Sequence, residues 1–201
     1  MISAIVHAIG GYYVAPNLKE VFYELPMLTI QMLFASSLSQ FTGILYVYVR
    51  SRAVPKILIR NNFVSFCLSG VVAVWLISVA NMLFSGRYIP FAHEILSEKS
   101  PYLYINAFIL IVVGPCFEET LYRGYYFEIL KSNFGNLWSI LISSLLFILF
   151  HAIWGGFDIN LIFIFLYSIL FSIVYIQNGL IASTLVHAFV NFYLLYTNIG
   201  V

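Results

Sequence analysis

The sequence predicts an all-α fold, a polytopic bundle of about six to seven transmembrane helices, and three observations carry that prediction. First, 62% of the 201 residues are hydrophobic and 18% aromatic, while 9 Lys+Arg and 8 Asp+Glu make up only 8%. A soluble domain carries about 25% charged residues, and so few cannot make a water-facing surface. Second, the apolar residues gather in runs at 26–49, 62–84, 103–130, 137–152, 160–176 and 179–197. Most of these reach the ~20 residues needed to cross a ~30 Å hydrocarbon core. Third, thirteen of the seventeen charges lie outside those runs. An ordinary cytosolic domain and a disordered chain are excluded, as is a nucleic-acid binder, because a net charge of +1 provides no basic stripe.

Taken in order, the segment Met1–Pro16 lacks the basic start of a secretory signal and carries Gly10-Gly11, which reads as an interfacial or re-entrant segment. The first two runs flank Arg50, Arg52, Lys56 and Arg60 with no acid among them, so the positive-inside rule places that loop in the cytoplasm. Alternation then puts the loop with Arg87, Glu94, Glu98 and Lys99 outside, Lys131 inside, Asp158 outside and Gln177-Asn178 inside. The fourth and fifth runs are short for a span. No internal repeat, low-complexity tract or Gly/Ser linker divides the chain, so residues 1–201 read as a single integral-membrane domain. Cys67 and Cys116 sit far apart inside apolar runs and read as packing residues.

The anomaly is the third run, which holds Glu118, Glu119, Arg123 and Glu128. Ionisable side chains at membrane depth cost several kcal/mol and normally face a cavity or a partner. Glu119 and Arg123 are one helical turn apart, the spacing at which a carboxylate and a guanidinium meet. Glu118 points about 100° away and needs another neighbour, for which His151 is the candidate. Upstream, Gly114-Pro115 removes a backbone hydrogen bond and should kink the helix, leaving free carbonyls that require polar surroundings. Two further runs each hold one histidine: His151, one turn after Phe147, and His187, one turn before Asn191. From the inferred cytoplasmic ends, at ~1.5 Å per residue, Glu118 lies ~20 Å deep, His151 ~21 Å, Asn191 ~16 Å and His187 ~10 Å, which is one layer within boundary error.

Together, Glu118-Glu119-x-x-x-Arg123, Phe147-x-x-x-His151 and His187-x-x-x-Asn191 resemble the three signature motifs of the CAAX prenyl protease and bacteriocin-processing family, also called the Abi family of intramembrane glutamic endopeptidases. Arg123-Gly124, Ser143-Ser144 and Gly179-Leu180-Ile181-Ala182-Ser183 look like the flanking residues of that family, so the resemblance runs from Gly114 to Asn191. The chain has fewer predicted spans than the better known members. The resemblance implies that Glu118, assisted by His151, activates water, that His187 and Asn191 form an oxyanion hole, and that Glu119, Arg123 and Phe147 support the site. It implies no cofactor and no metal, a membrane-bound peptide or protein as substrate, and a multi-pass location in a bacterial cell membrane.

Other readings are available from the residues. Two Glu and two His could ligate zinc, but zinc proteases usually place both histidines in H-E-x-x-H. Here His93-Glu94 is followed by Ser97 at the position of the second His. His7 and His93 are assigned interfacial or loop roles. A non-catalytic bacteriocin immunity or scaffold protein would use the polar residues as interhelical glue. A proton-coupled transporter would also hold Glu and His in the membrane, although paired broken helices and repeats are absent from the sequence.

Overall fold

The computed structural model describes residues 62–84, 102–155 and 159–198, together with Thr42, Ile44, Leu45 and Tyr48. The Met1–Pro16 segment, the Arg50–Arg60 loop, the loop from Arg87 to Lys99, His7 and His93 lie outside the described residues, as does most of the 26–49 run. Every described element is helical.

Helix α1, Phe63–Phe84, opens on Asn62, whose side-chain oxygen accepts the Ser65 N–H at 3.1 Å and so satisfies one of the unpaired donors of the first turn. One stripe of α1, with Ala73, Ile77 and Ala80 fully buried, packs on the last two helices. The other side exposes Phe63, Val64, Leu68, Val71 and Trp75, a surface suited to lipid and not to water.

The next stretch is one helical path of changing pitch: α2, Tyr102–Phe108; a π-helical turn, Ile109–Val113; α3, Gly114–Glu119; a second π-helical segment, Thr120–Phe127; and α4, Glu128–Gly155. The kink expected at Gly114-Pro115 is a π turn instead. Val113 and Gly114 keep helical dihedrals, and the Gly114 N–H donates to the Ile109 carbonyl five residues back. Such a wider turn places the missing N–H of Pro115 opposite Leu110, whose carbonyl is then left for a partner from elsewhere. All seven residues from Leu121 to Phe127 are buried, which puts the second π segment at the centre of the bundle.

Within α4, Gly135 has φ 74° and ψ 179°, a conformation closed to other residues without strain, and the chain doubles back there. Packing proves the reversal. The rings of Tyr122 and Phe147 lie 5.0 Å apart, although 25 residues of straight helix would separate them by about 37 Å. The boundary expected between the runs 103–130 and 137–152 is therefore a one-glycine turn in an otherwise helical path. Helix α5, Leu161–Asn178, and helix α6, Leu180–Asn198, are likewise joined through a single residue, Gly179, with φ 97°.

Four helical stretches among the described residues are long and apolar enough to cross a membrane: Phe63–Ala80, Ile109–Ala152, Leu161–Asn178 and Leu180–Thr197. The second covers 44 residues and contains the reversal at Gly135, so it spans the third and fourth runs read from the sequence. The described residues are all helical, and the protein is an integral membrane protein. The expected total of six to seven spans depends partly on residues outside the described set.

Two apolar clusters among the described residues flank the polar residues. Tyr167, Leu170, Phe171 and Val174 of α5 meet Val186, Val190 and Leu194 of α6 and the buried stripe of α1. Beside them, Leu121, Tyr122 and Tyr126 pack with Phe147 and Phe150 of α4. The polar residues singled out in the sequence lie between these two apolar clusters.

Candidate functional site

Glu119 ends α3 and Arg123 lies one turn further, inside the second π segment. Arg123 Nη1 donates to Glu119 Oε1 at 2.9 Å, and both side chains are 0% exposed. A pair this deep is compensated only if its remaining hydrogen-bonding groups are met, and here most of them are. Arg123 Nη2 donates to the Ser168 carbonyl at 2.7 Å and to Ser168 Oγ at 2.8 Å. The guanidinium also lies against the Phe147 ring, 5.0 Å from its centroid, and the Phe171 ring at 5.5 Å. Desolvated contacts of this kind contribute up to about 2 kcal/mol each.

The carboxylate of Glu119 is equally occupied. Oε1 accepts from His187 Nδ1 at 3.0 Å as well as from Arg123, and Oε2 accepts from Ser183 Oγ at 2.5 Å. Glu119 therefore joins α3, the second π segment and α6, while Arg123 extends the junction to α5. The Glu119–Arg123 pair expected from helical spacing is present, with partners on two other helices.

Because His187 Nδ1 faces a carboxylate, it carries a hydrogen, and the opposite nitrogen is left for the other acid. His187 Nε2 lies 3.7 Å from Glu118 Oε2. The imidazole plane is fixed by stacking on Phe171, with centroids 4.4 Å apart and 19° between planes, and by the edge of Phe147 at 5.9 Å. Glu118 itself is 13% exposed in its side chain and leans over the α3 backbone, where a Cβ added at Gly114 would come within 3.9 Å of Glu118 Oε1. His187 is thus a neighbour of Glu118 at 3.7 Å, in addition to the His151 expected from the sequence.

His151, on the returning limb of α4, donates from Nδ1 to the Phe147 carbonyl at 2.9 Å. That bond selects the tautomer with a free lone pair on Nε2 when the ring is neutral. Phe147 also lies 4.4 Å from the His151 ring. Glu118 and His187 are within electrostatic reach of His151, so the histidines from two runs and the carboxylates from a third converge.

Asn191 donates from Nδ2 to the Leu110 carbonyl at 2.9 Å. Leu110 is the residue whose acceptor the Pro115 ring leaves without a backbone donor, so the polar surroundings expected around Gly114-Pro115 are supplied by α6. An amide nitrogen has two hydrogens, and this bond uses one.

Among the roles foreseen from the sequence, the structure brings Glu118, Glu119, Arg123, Phe147, His151 and His187 into one cluster and sets Asn191 against the neighbouring π turn. Sequence reasoning missed Ser168 and Phe171, and gave Ser183 no function. A signal for them existed: Ser168 and Ser172 stand one turn apart in the apolar α5, and Ser183 stands one turn before His187. Spaced hydroxyls in a span mark a face directed at other helices.

Residues 100–193 match the family described as Type II CAAX prenyl endopeptidase Rce1-like. No curated protein and no solved structure matches the chain. The matched segment begins just before α2, ends two residues after Asn191 and takes in the whole cluster, and it supports the resemblance to the CAAX prenyl protease and bacteriocin-processing family read from the three motifs.

Proposed function

We propose that this protein is an intramembrane endopeptidase that hydrolyses a peptide bond of a membrane-associated peptide or protein, using water activated by Glu118. The observation that carries the reading is the contrast between two adjacent carboxylates. Glu119 is fully buried with both oxygens engaged, whereas Glu118 keeps solvent-accessible surface and faces an imidazole whose other nitrogen is already committed.

In this reading Glu118, assisted by His151 Nε2, removes a proton as the water oxygen attacks the scissile carbonyl carbon. The carbon becomes tetrahedral, and its oxygen takes up negative charge. The second Nδ2 hydrogen of Asn191 is a donor aimed at that charge, and His187 adds a second donor when Nε2 carries a hydrogen as well as Nδ1. The proton held by Glu118 passes to the amide nitrogen as the C–N bond breaks, giving a carboxylate and an amine. No serine or cysteine nucleophile is needed. Cys116, two residues before Glu118, is exposed on the bundle surface.

Substrate access follows from the position of the cluster. Glu118 and His151 lie between helices, with lipid-suited side chains such as Phe108 and Leu149 on the outer faces of the same helices, so a substrate reaches them from the bilayer. We place the Arg50–Arg60 loop in the cytoplasm and the cleaved segment near that leaflet. A farnesylated peptide ending in a CAAX box is the first probe, chosen from the description of the matched family. Purified protein in lipid nanodiscs should cleave it, and Glu118→Gln should not. Equal cleavage by both proteins overturns the mechanism.

Among the described residues no three His, Cys, Asp or Glu side chains are grouped to hold a metal ion. We propose that activity is metal-independent because the His and Glu residues come from separate helices and lack the H-E-x-x-H spacing, so turnover should be unchanged after dialysis against a hydrophilic chelator. Loss of cleavage that zinc restores would replace the carboxylate mechanism with a metal one.

A further inference from the structure

Ser183 is fully buried on α6, one turn before His187. Serine within a transmembrane helix commonly bonds back to its own helix, to the carbonyl four residues earlier. Here the carbonyl of Gly179 accepts the Ser183 N–H, and the hydroxyl turns outward to other helices. Its oxygen lies 2.5 Å from Glu119 Oε2 and 2.9 Å from the Phe171 carbonyl. Both are acceptors, and one hydroxyl carries one hydrogen.

The two acceptors belong to the two residues that orient His187. Glu119 takes the hydrogen on His187 Nδ1, and the Phe171 ring is the platform on which the imidazole stacks. A glutamate's terminal torsion is broad, so nothing intrinsic to Glu119 decides which oxygen faces Arg123 and His187. The Ser183 hydroxyl holds Oε2 on its own side, leaving Oε1 for Arg123 and His187 at 2.9 and 3.0 Å. Resting on the peptidase reading, we propose that Ser183 is a positioning residue: by fixing the Glu119 carboxylate it sets which nitrogen of His187 binds Glu119 and the orientation of the ring, so that Nδ1 meets Glu119 and Nε2 is the nitrogen turned toward Glu118.

Ser168 provides the internal comparison. It bonds Arg123 through both its hydroxyl and its backbone carbonyl, and truncation to alanine leaves the carbonyl in place. Ser183 reaches Glu119 through the hydroxyl alone.

The test measures two quantities on wild type, Ser183→Ala, Ser183→Thr and Ser168→Ala in nanodiscs. One is the ¹⁵N spectrum of the His187 ring, assigned by its absence in His187→Gln; the other is the pH profile of kcat and KM on the farnesylated peptide. Wild type should show a protonated Nδ1. Ser183→Ala should give mixed ring protonation and lower kcat by about tenfold or more with KM little changed, because small misplacements of a catalytic group are costly in rate. Ser183→Thr, which keeps the hydroxyl, should restore the wild-type ring spectrum, and Ser168→Ala should resemble wild type in it. An unaltered His187 spectrum in Ser183→Ala overturns the proposal, whatever the kinetics. If instead the spectrum changes as expected but no protein cleaves any peptide, the positioning role stands and the peptidase reading falls.

Discussion

Two faces of the same helical turn behave as different solvents. On one, Glu119 and Arg123 are sealed among Ser168, Ser183, His187, Phe147 and Phe171, with both carboxylate oxygens and both terminal guanidinium nitrogens engaged. On the other, Glu118 keeps accessible surface and His151 bonds the Phe147 carbonyl through Nδ1, which leaves Nε2 for other contacts. On the proposed reading, adjacent residues of one type divide the tasks of holding the bundle together and meeting a reactant. A buried ion pair is weak evidence for stability in itself, but breaking one side of it is strongly destabilising. An acid that retains access to water can change its protonation during a reaction.

The largest effect should separate these faces. Glu118→Gln keeps the size of the side chain and removes the base, and general-base catalysis accounts for about 10²–10⁴ in rate. Turnover of the probe peptide should fall by that range, with melting temperature close to wild type. Cleavage at near wild-type rate would erase the distinction between the two faces.

Glu119→Ala should do the reverse in emphasis. It strands Arg123 Nη1 and the His187 Nδ1 hydrogen in a dry interior, while the Ser183 hydroxyl keeps the Phe171 carbonyl. The loss should be roughly 3–5 kcal/mol of stability, the range for breaking a buried pair, seen as lower yield and melting temperature as well as lost activity. If Glu119→Ala melts like wild type, the sealed face is not holding the helices.

Asn191 stands between the two faces. As an oxyanion donor it should cost on the order of a hundredfold in rate when changed to alanine. Near-normal folding would be the expectation from the motif alone, but the bond to Leu110 changes it. The variant leaves a carbonyl unsatisfied beside the π turn, which costs about 1–3 kcal/mol, so a measurable drop in melting temperature should accompany the kinetic loss. A kinetic loss with unchanged melting would mean that the Leu110 bond contributes nothing to folding.

How far these features were legible in the sequence depends on whether they are local. The Glu119–Arg123 contact needs only helical spacing, and the apolar runs place the described helices to within a few residues. The approach of His187 to Glu118 was not legible. Helical phase shows that Glu118 points away from Glu119 but not which helix comes to meet it, and His187, judged the shallowest of the set, lies within 3.7 Å. The kink at Gly114-Pro115 was misread for a related reason. Proline dictates that a backbone bond is lost, but a π turn can absorb that loss when another helix supplies a donor, and Asn191 lies 81 residues away. At Gly135 the reversal was legible as the boundary between the runs 103–130 and 137–152, but not that a single glycine within a helical path makes it.

The smallest effect should come from a polar contact that belongs to neither face. Near the end of α5, Tyr175 donates from its hydroxyl to Glu128 Oε1 at 3.0 Å, while its ring packs edge-on to Phe127 at 5.4 Å. Lys131 approaches the same carboxylate oxygen at 3.9 Å from its own helix, so Glu128 keeps a charged neighbour when the tyrosine hydroxyl is removed. Tyr175→Phe preserves the ring contact and deletes one hydrogen bond, which is worth about 0.5–1.5 kcal/mol, or somewhat more to a charged acceptor. This contact fastens the start of α4 to the end of α5, and it includes none of the groups around Glu118. Melting temperature should therefore fall slightly, and kcat and KM on the probe peptide should match wild type. A rate loss in Tyr175→Phe comparable to that of Asn191→Ala would show that the two faces are not independent of the rest of the bundle, and that helix registration at this end sets the geometry of the site.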